Sequence, residues 1–224
     1  SSLMEAPARP CVFVLGGAKI ADAFLMMQTV LDRGIADQVL SGGVVANILL
    51  AAKGEDIGAA SRGFIEKQGY GSFIETAKPL LAKYGDRIVL PVDLAYTENG
   101  TRSEAMVGHL PQGSMLVDIG AQTAAIYRAA ILAAKTVFVN GPMGIFEQEE
   151  TEFGTKEVWQ SLADTAAYTV VGGGDSVTAT NKYHLAAKID YICTGGGALI
   201  RFLSGEELPV VRALRHAAGA FPLD

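Results

Sequence analysis

Two kinds of pattern alternate along the chain. Short runs that are apolar at nearly every position occur at residues 11–15, 38–41, 87–90, 115–118, 136–139, 168–171 and 191–194. Strands buried on both faces carry this continuous apolar pattern. Between the runs, apolar residues recur at helical spacing. Ile20, Phe24, Met27 and Leu31 share one helix face, as do Ile126, Ala130, Ile131 and Ala134. Strand and helix in alternation predict an α/β fold: a three-layer, Rossmann-like domain with a mostly parallel sheet of about six strands and helices on both faces. Residues 97–114, with Glu98-Asn99-Gly100 and Pro111-Gln112-Gly113, read as a long surface excursion with room for a short hairpin. Near the end, Pro209 opens a last helix over 210–218.

Composition narrows the function classes. Half of the 224 residues are hydrophobic, enough for a sizeable core without metal or disulfide staples. The formal net charge is −6 and the basic residues are scattered, which excludes the basic footprint of a nucleic-acid binder. Cys11 and Cys193 each sit in an apolar run and read as reduced, buried thiols of a cytoplasmic protein. No apolar run reaches the roughly 18 residues of a membrane span, and no signal peptide is visible. Position 1 is not methionine, and residues 1–6 read as the end of a helix begun upstream, so a piece of a longer chain is expected. His109, His184 and His216 form no ligand spacing. Trp159, Met26, Met27, Phe13 and Phe138 fit core packing.

Glycine placement points to chemistry. Gly16-Gly17, Gly42-Gly43, Gly172-Gly173-Gly174 and Gly195-Gly196-Gly197 each follow an apolar run directly, and Asn140-Gly141-Pro142-Met143-Gly144 follows another. In a parallel sheet all strands end on one edge, so these turns converge on one rim, where ligands of open α/β sheets bind. Tight strand–helix packing explains any one cluster as well as a ligand does. All of them on one rim favour a phosphate or nucleotide site, because helix N-termini present free N–H groups and a positive dipole end. The P-loop signature is absent, and so is a G-x-G-x-x-G after the first run with an acid about 20 residues on. Lys19 stands at a helix start, where a cation opposes the helix dipole and a phosphate partner would account for it. Asp175 suits either a helix cap or a Mg²⁺ ligand beside phosphates. Glu147 suits either a ribose hydroxyl pair or a solvated acid among Glu149, Glu150 and Glu152.

The stretches VLGGAKI (14–20), LSGGVVAN (40–47), LPVD (90–93), DIGAQT (118–123), VNGPMGIFE (139–147), GTK (154–156), VVGGGDS (170–176) and TGGGALIRFLSGEELP (194–209), in this order, resemble phosphoglycerate kinase, most of all its archaeal branch. The resemblance covers nearly the whole chain, but only the C-terminal, nucleotide-binding half of that family. It implies one nucleotide-binding domain over 1–224, a missing N-terminal domain for 3-phosphoglycerate, and phosphoryl transfer between 1,3-bisphosphoglycerate and ADP, with the isolated half inactive. The implied cofactor is Mg²⁺ with ATP or ADP, and a monomer without nucleic-acid or membrane partners is expected. By motif position, Lys19 would contact the transferring phosphoryl group, and the N–H groups of Gly174 and Gly196 would donate to its oxygens. Asp175 would hold the metal, with Gly173 beside it in the same turn and Ser176 near the β-phosphate. Asn140 would lie near the phosphates and Glu147 at the ribose. Gly17, Gly42, Gly43, Leu116, Val117 and Met143 would line the adenine slot. Hinge closure between the halves is implied, with part of the hinge at 6–10. One departure is Ala23, where many members carry a second lysine. The competing expectations are a stand-alone adenine-nucleotide module and a dehydrogenase-like Rossmann domain.

Overall fold

A computed structural model describes residues 7–195; the expected helix at 210–218, and Gly196 and Gly197, lie outside the described residues. Strand β1 (Cys11–Leu15) is buried at every position. It pairs in parallel with β2 (Gln38–Ser41) on one side and β7 (Thr136–Asn140) on the other. The sheet continues to β3 (Ile88–Val89) at one edge and through β8 (Tyr168–Gly172) to β9 (Tyr191–Cys193) at the other. Its order is β3-β2-β1-β7-β8-β9, parallel throughout. The chain winds outward one way from β1 and the other way from β7. The β1/β7 boundary is therefore the topological switch point, the crevice where open α/β sheets bind ligands. Phe13 and Phe138 are register partners across that boundary, and their rings stack at 4.7 Å. Such a pair contributes about 1 kcal/mol beyond its buried area.

Helices α1 (Ile20–Asp32), α2 (Gly43–Lys53) and α4 (Gly71–Tyr84) pack on one another, with α3 (Ala59–Lys67) against α2. Helices α5 (Ala121–Ala133), α6 (Phe153–Asp164) and α7 (Gly174–Lys182) form the second set, completing three layers. On α1, the buried residues Ile20, Phe24, Met27 and Leu31 include all four of the expected face. Trp159 is fully buried on α6, and its indole N–H donates to Thr180 Oγ1 at 2.8 Å.

The run at 115–118 departs from expectation. It forms β6 (Leu116–Ile119), which joins no parallel sheet. It pairs antiparallel with β4 (Asp93–Glu98), which pairs in turn with β5 (Thr101–Met106), giving a second sheet of order β5-β4-β6. The hairpin foreseen within 97–114 is real but begins earlier, at Asp93. Its turn is Asn99-Gly100, with φ of 51° and 77°, the left-handed pair that matches strand twist in a two-residue hairpin. Apolar periodicity reports that a strand is buried, but not which sheet it joins.

Candidate functional site

The glycine turns meet at the C-terminal rim of the parallel sheet, and they are bonded to one another. Gly16 N–H donates to Asn140 O at 3.1 Å, and Gly17 N–H to Pro142 O at 2.8 Å. Gly43 N–H donates to Met143 O at 2.7 Å, and Val44 N–H to Gly17 O at 3.2 Å. Gly141 N–H donates to Ser176 Oγ at 2.7 Å, which draws the turn after β7 onto α7. Gly173 N–H donates to Cys193 O at 3.1 Å, joining the end of β9.

Packing and ligand access divide these glycines between them. A Cβ on Gly16 would sit 2.1 Å from Pro142 O, and one on Gly141 2.1 Å from Gly16 O. Those two allow the β1 and β7 turns to touch. Gly42 is likewise a packing position: its Cβ would meet Met143 Sδ at 2.5 Å, so it lies behind the cavity wall rather than on it. Gly174 is different. Nothing lies within 4 Å of where its Cβ would be, and its N–H opens α7 with no side-chain cap.

Two connected hollows follow the rim. The smaller, about 80 Å³, is lined by Lys19, Asp22, Asn140, Gly173, Gly174, Asp175 and Ser176 together with the Gly16–Ala18 and Gly141 turns. The helix N-termini of α1 and α7 both open here. Lys19 and Asp175 are exposed, and neither side chain has a hydrogen bond or ion pair to any described residue. Of the two roles open to Asp175, capping is not what it does: α7 has no side-chain cap bond. A free carboxylate beside a free lysine and an open helix end suits a metal-bound polyphosphate, so Asp175 fits a Mg²⁺ ligand. Ser176 is buried and its oxygen already accepts from Gly141.

The larger hollow, about 260 Å³, shares Gly17, Ala18 and Asp175 with the first. Its wall includes Gly43, Leu116, Val117, Met143 and exposed Glu147, which the structure brings together. Leu116 and Val117 reach it from the second sheet, which is therefore part of the site. The N–H of Ile145 donates to Val117 O at 2.8 Å and holds the loop after β7 against β6. The wall also holds Asn47 on α2, Ser61 and Phe64 on α3, and Met115, residues that the sequence alone did not place in a site. Ala23 is buried on α1 and also borders the smaller hollow, where Lys19 is the one lysine in the lining.

Asp118 lies under the larger hollow with its side chain fully buried. Its Oδ2 accepts from Arg102 at 2.8 Å and from the Gly154 N–H at 2.6 Å, while Oδ1 has no partner among the described residues. Burial pushes its carboxyl up to about 6, and the Gly154 N–H and Arg102 only partly offset this. Burial also pushes the Cys11 thiol up to about 12, so it stays protonated; Cys193 is only half-buried, and both cysteines are free.

The family model for phosphoglycerate kinase matches residues 1–206. The chain belongs to the phosphoglycerate kinase family. It is 42% identical to the phosphoglycerate kinase of Methanothermus fervidus over 209 residues, 93% of this chain and 51% of that one. It is 44% identical to that of Thermoplasma volcanium over 95% of this chain and 52% of the relative. The crystal structure of phosphoglycerate kinase from Pyrococcus horikoshii superposes with a TM-score of 0.90 at 38% identity, covering 98% of this chain and 55% of that one. The structure of phosphoglycerate kinase from Coxiella burnetii gives 0.80 at 30% identity, over 95% of this chain and 54% of its own. The chain thus spans about half the length of the curated relatives it matches. Among its described residues no helix is long and apolar enough to cross a membrane.

Proposed function

We propose that this chain is the nucleotide-binding half of a glycolytic phosphoglycerate kinase, a single domain that takes MgADP or MgATP and acts with a separate domain for 3-phosphoglycerate. The observation that supports this best is the pairing of an apolar hollow with a rim carrying unpaired Lys19, unpaired Asp175 and the open Gly174 amide. A purine fills an apolar slot, and a polyphosphate needs amides, a cation and a metal-holding carboxylate at the end of it.

In this reading the base enters between α2, α3 and β6, Glu147 takes the ribose, and the phosphates run past Gly17 and Asn140 to the α7 N-terminus. A β-phosphate oxygen of ADP attacks the phosphorus of the acyl phosphate. The bond from phosphorus to the carboxyl oxygen breaks, and 3-phosphoglycerate leaves as a carboxylate. Lys19 and the Gly174 N–H face the transferring group, whose charge spreads over its three equatorial oxygens. The Gly196 N–H belongs to the same proposal. Asp175 would hold Mg²⁺, which when bound neutralises phosphate charge. The residues do little covalent work; they position and stabilise charge.

Titration calorimetry with MgADP and with 3-phosphoglycerate tests the assignment. The chain should take up MgADP and no 3-phosphoglycerate, and should transfer phosphate only when a 3-phosphoglycerate domain is supplied. Binding of 3-phosphoglycerate without ADP would reverse it.

A further inference from the structure

The loop that follows β7 brings residues 141–147 to the two hollows, and α7 holds it near both of its ends. At the start, Gly141 N–H donates to Ser176 Oγ in the first turn of the helix. At the far end, the ammonium group of Lys182, the last residue of α7, donates to Phe146 O at 2.6 Å. Phe146 is buried, and no other donor among the described residues reaches that carbonyl. A buried carbonyl left without a donor costs about 1–3 kcal/mol.

Two plainer tasks for Lys182 leave this bond unexplained. A lysine in the last turn of a helix complements the dipole near its own final carbonyls, whereas this one reaches a carbonyl 36 residues away in another segment. Lys182 also pairs with Glu152 at 2.6 Å, yet Lys156, one turn along α6, already stands 3.8 Å from the other oxygen of that carboxylate. The Lys182 side chain is the more enclosed of the two, 35% exposed against 61%.

What Lys182 holds is the peptide unit between Phe146 and Glu147. Ile145, just before it, is fixed on both sides: its N–H donates to Val117 O at 2.8 Å, and its carbonyl accepts from the Thr151 hydroxyl. Glu147 itself has no hydrogen bond to any described residue, and it stands exposed in the wall of the larger hollow. A peptide unit is planar, so fixing its carbonyl fixes the direction from which the next residue departs. Lys182 is therefore the last restraint before Glu147.

We infer that Lys182 is a positioning residue, which aims the Glu147 carboxylate at the ribose and ties the ribose end of the site to the phosphate end. This rests on the nucleotide-binding reading above, with Glu147 at the ribose. Gly174 and Asp175 stand at one end of α7 and Lys182 at the other, so a single rigid helix serves both ends of the ligand. Lys182 lines neither hollow and acts only through the loop.

Titration calorimetry with MgADP and with its 2′,3′-dideoxy analogue tests this, because only the ribose hydroxyls separate the two ligands. Wild-type chain should bind ADP about tenfold more tightly, as expected for hydroxyls bonded to a carboxylate. In Lys182→Met, which keeps the apolar stem and loses the donor, ADP affinity should fall about tenfold while the dideoxy analogue holds its affinity, so the preference disappears. Lys182→Gln, one bond shorter and uncharged, serves the same purpose should the methionine disturb folding. Lys182→Arg, which keeps a charged donor, should retain the preference to within about threefold. In a Glu147→Ala background, Lys182→Met should change neither affinity further. A Lys182→Met or Lys182→Gln chain that keeps the wild-type preference would overturn the inference, and so would one that weakens both ligands by the same factor, the mark of general support to the loop. Wild-type chain that binds both ligands equally would overturn it while leaving the nucleotide reading in place. Wild-type chain that binds neither would remove the nucleotide reading, and this inference with it.

Discussion

Single residues set two of the sharpest constraints. Asp93 on β4 caps a helix from outside it. Its Oδ2 accepts from the Gln122 N–H at 3.0 Å and its Oδ1 from the Thr123 N–H at 2.8 Å and the Thr123 hydroxyl at 2.6 Å. The N-cap residue of α5 is Gly120, which has no side chain, and a Cβ there would lie 2.3 Å from the Asp93 carboxyl. Cap and glycine are complementary halves of one device. Asp93→Ala strands buried N–H groups and should lower stability by about 2–3 kcal/mol in urea unfolding, with Asp93→Asn losing less. Asp118 makes a different statement. Its charged form is disfavoured in the fold, with a folded value of about 6 against an ordinary 3.8. The folded state then holds a proton that the unfolded state has released. The stabilisation is full below pH 3.8 and is lost as pH rises through about 6, a swing on the order of 2–3 kcal/mol. Asp118→Asn, which stays neutral, should lack that fall. The stability difference between the two proteins should therefore change across roughly pH 4.5 to 7; a constant difference would show that Asp118 does not titrate there.

Among elements, the glycine turns separate into those that hold the rim together and those that leave it open. Gly16→Ala would drive a methyl into Pro142 O and should lower the melting temperature by several degrees. Gly174→Ala meets nothing in the protein, so the fold should keep its stability to within about 0.5 kcal/mol while MgADP affinity falls. If both variants melted alike and bound alike, the division between packing and access would be wrong. The β4–β5 hairpin is pinned by Arg102, which donates to Asp118 Oδ2, to Ile119 O at 2.9 Å and to Glu104, and lies over the Phe153 ring at 4.9 Å. Arg102→Ala leaves the buried Asp118 uncompensated and should cost about 3 kcal/mol near neutral pH. Hydrogen exchange should quicken first in Thr101–Met106, ahead of the parallel sheet.

At the scale of the whole molecule, the second sheet and the parallel sheet share one apolar core. Leu94, Leu116 and Ile119 belong to the same cluster as Val14, Phe138 and Trp159. Unfolding should therefore be one transition, with the fluorescence of the single, fully buried tryptophan and the far-ultraviolet circular dichroism coinciding in urea. Separate midpoints would make the β4–β5–β6 unit an independent layer. The same union matters for the site, since Leu116 and Val117 bring the second sheet to the wall of the larger hollow while Lys19 and Asp175 come from the first.

The α/β class, the parallel strands β1, β2, β3, β7, β8 and β9, and the meeting of the glycine turns on one rim were determined by the sequence alone. Continuous apolar runs fix burial, and parallel order fixes which end each turn occupies. The candidate phosphate-binding residues Lys19, Gly174 and Asp175 could be picked out because of where they stand. A cation at a helix start opposes the dipole, and a glycine there leaves the amides open, so both point to an anionic ligand. The sheet to which β6 belongs was decided only by the tertiary structure, because hydrogen-bond pairing between distant segments leaves no periodic trace. So was the split of roles among the glycines, since Gly42 and Gly174 look alike until their neighbours are placed. Asn47 shows the limit most plainly. It closes the LSGGVVAN stretch as a polar residue in an otherwise apolar helix, and only the placement of α3 and β6 opposite makes it part of a cavity wall.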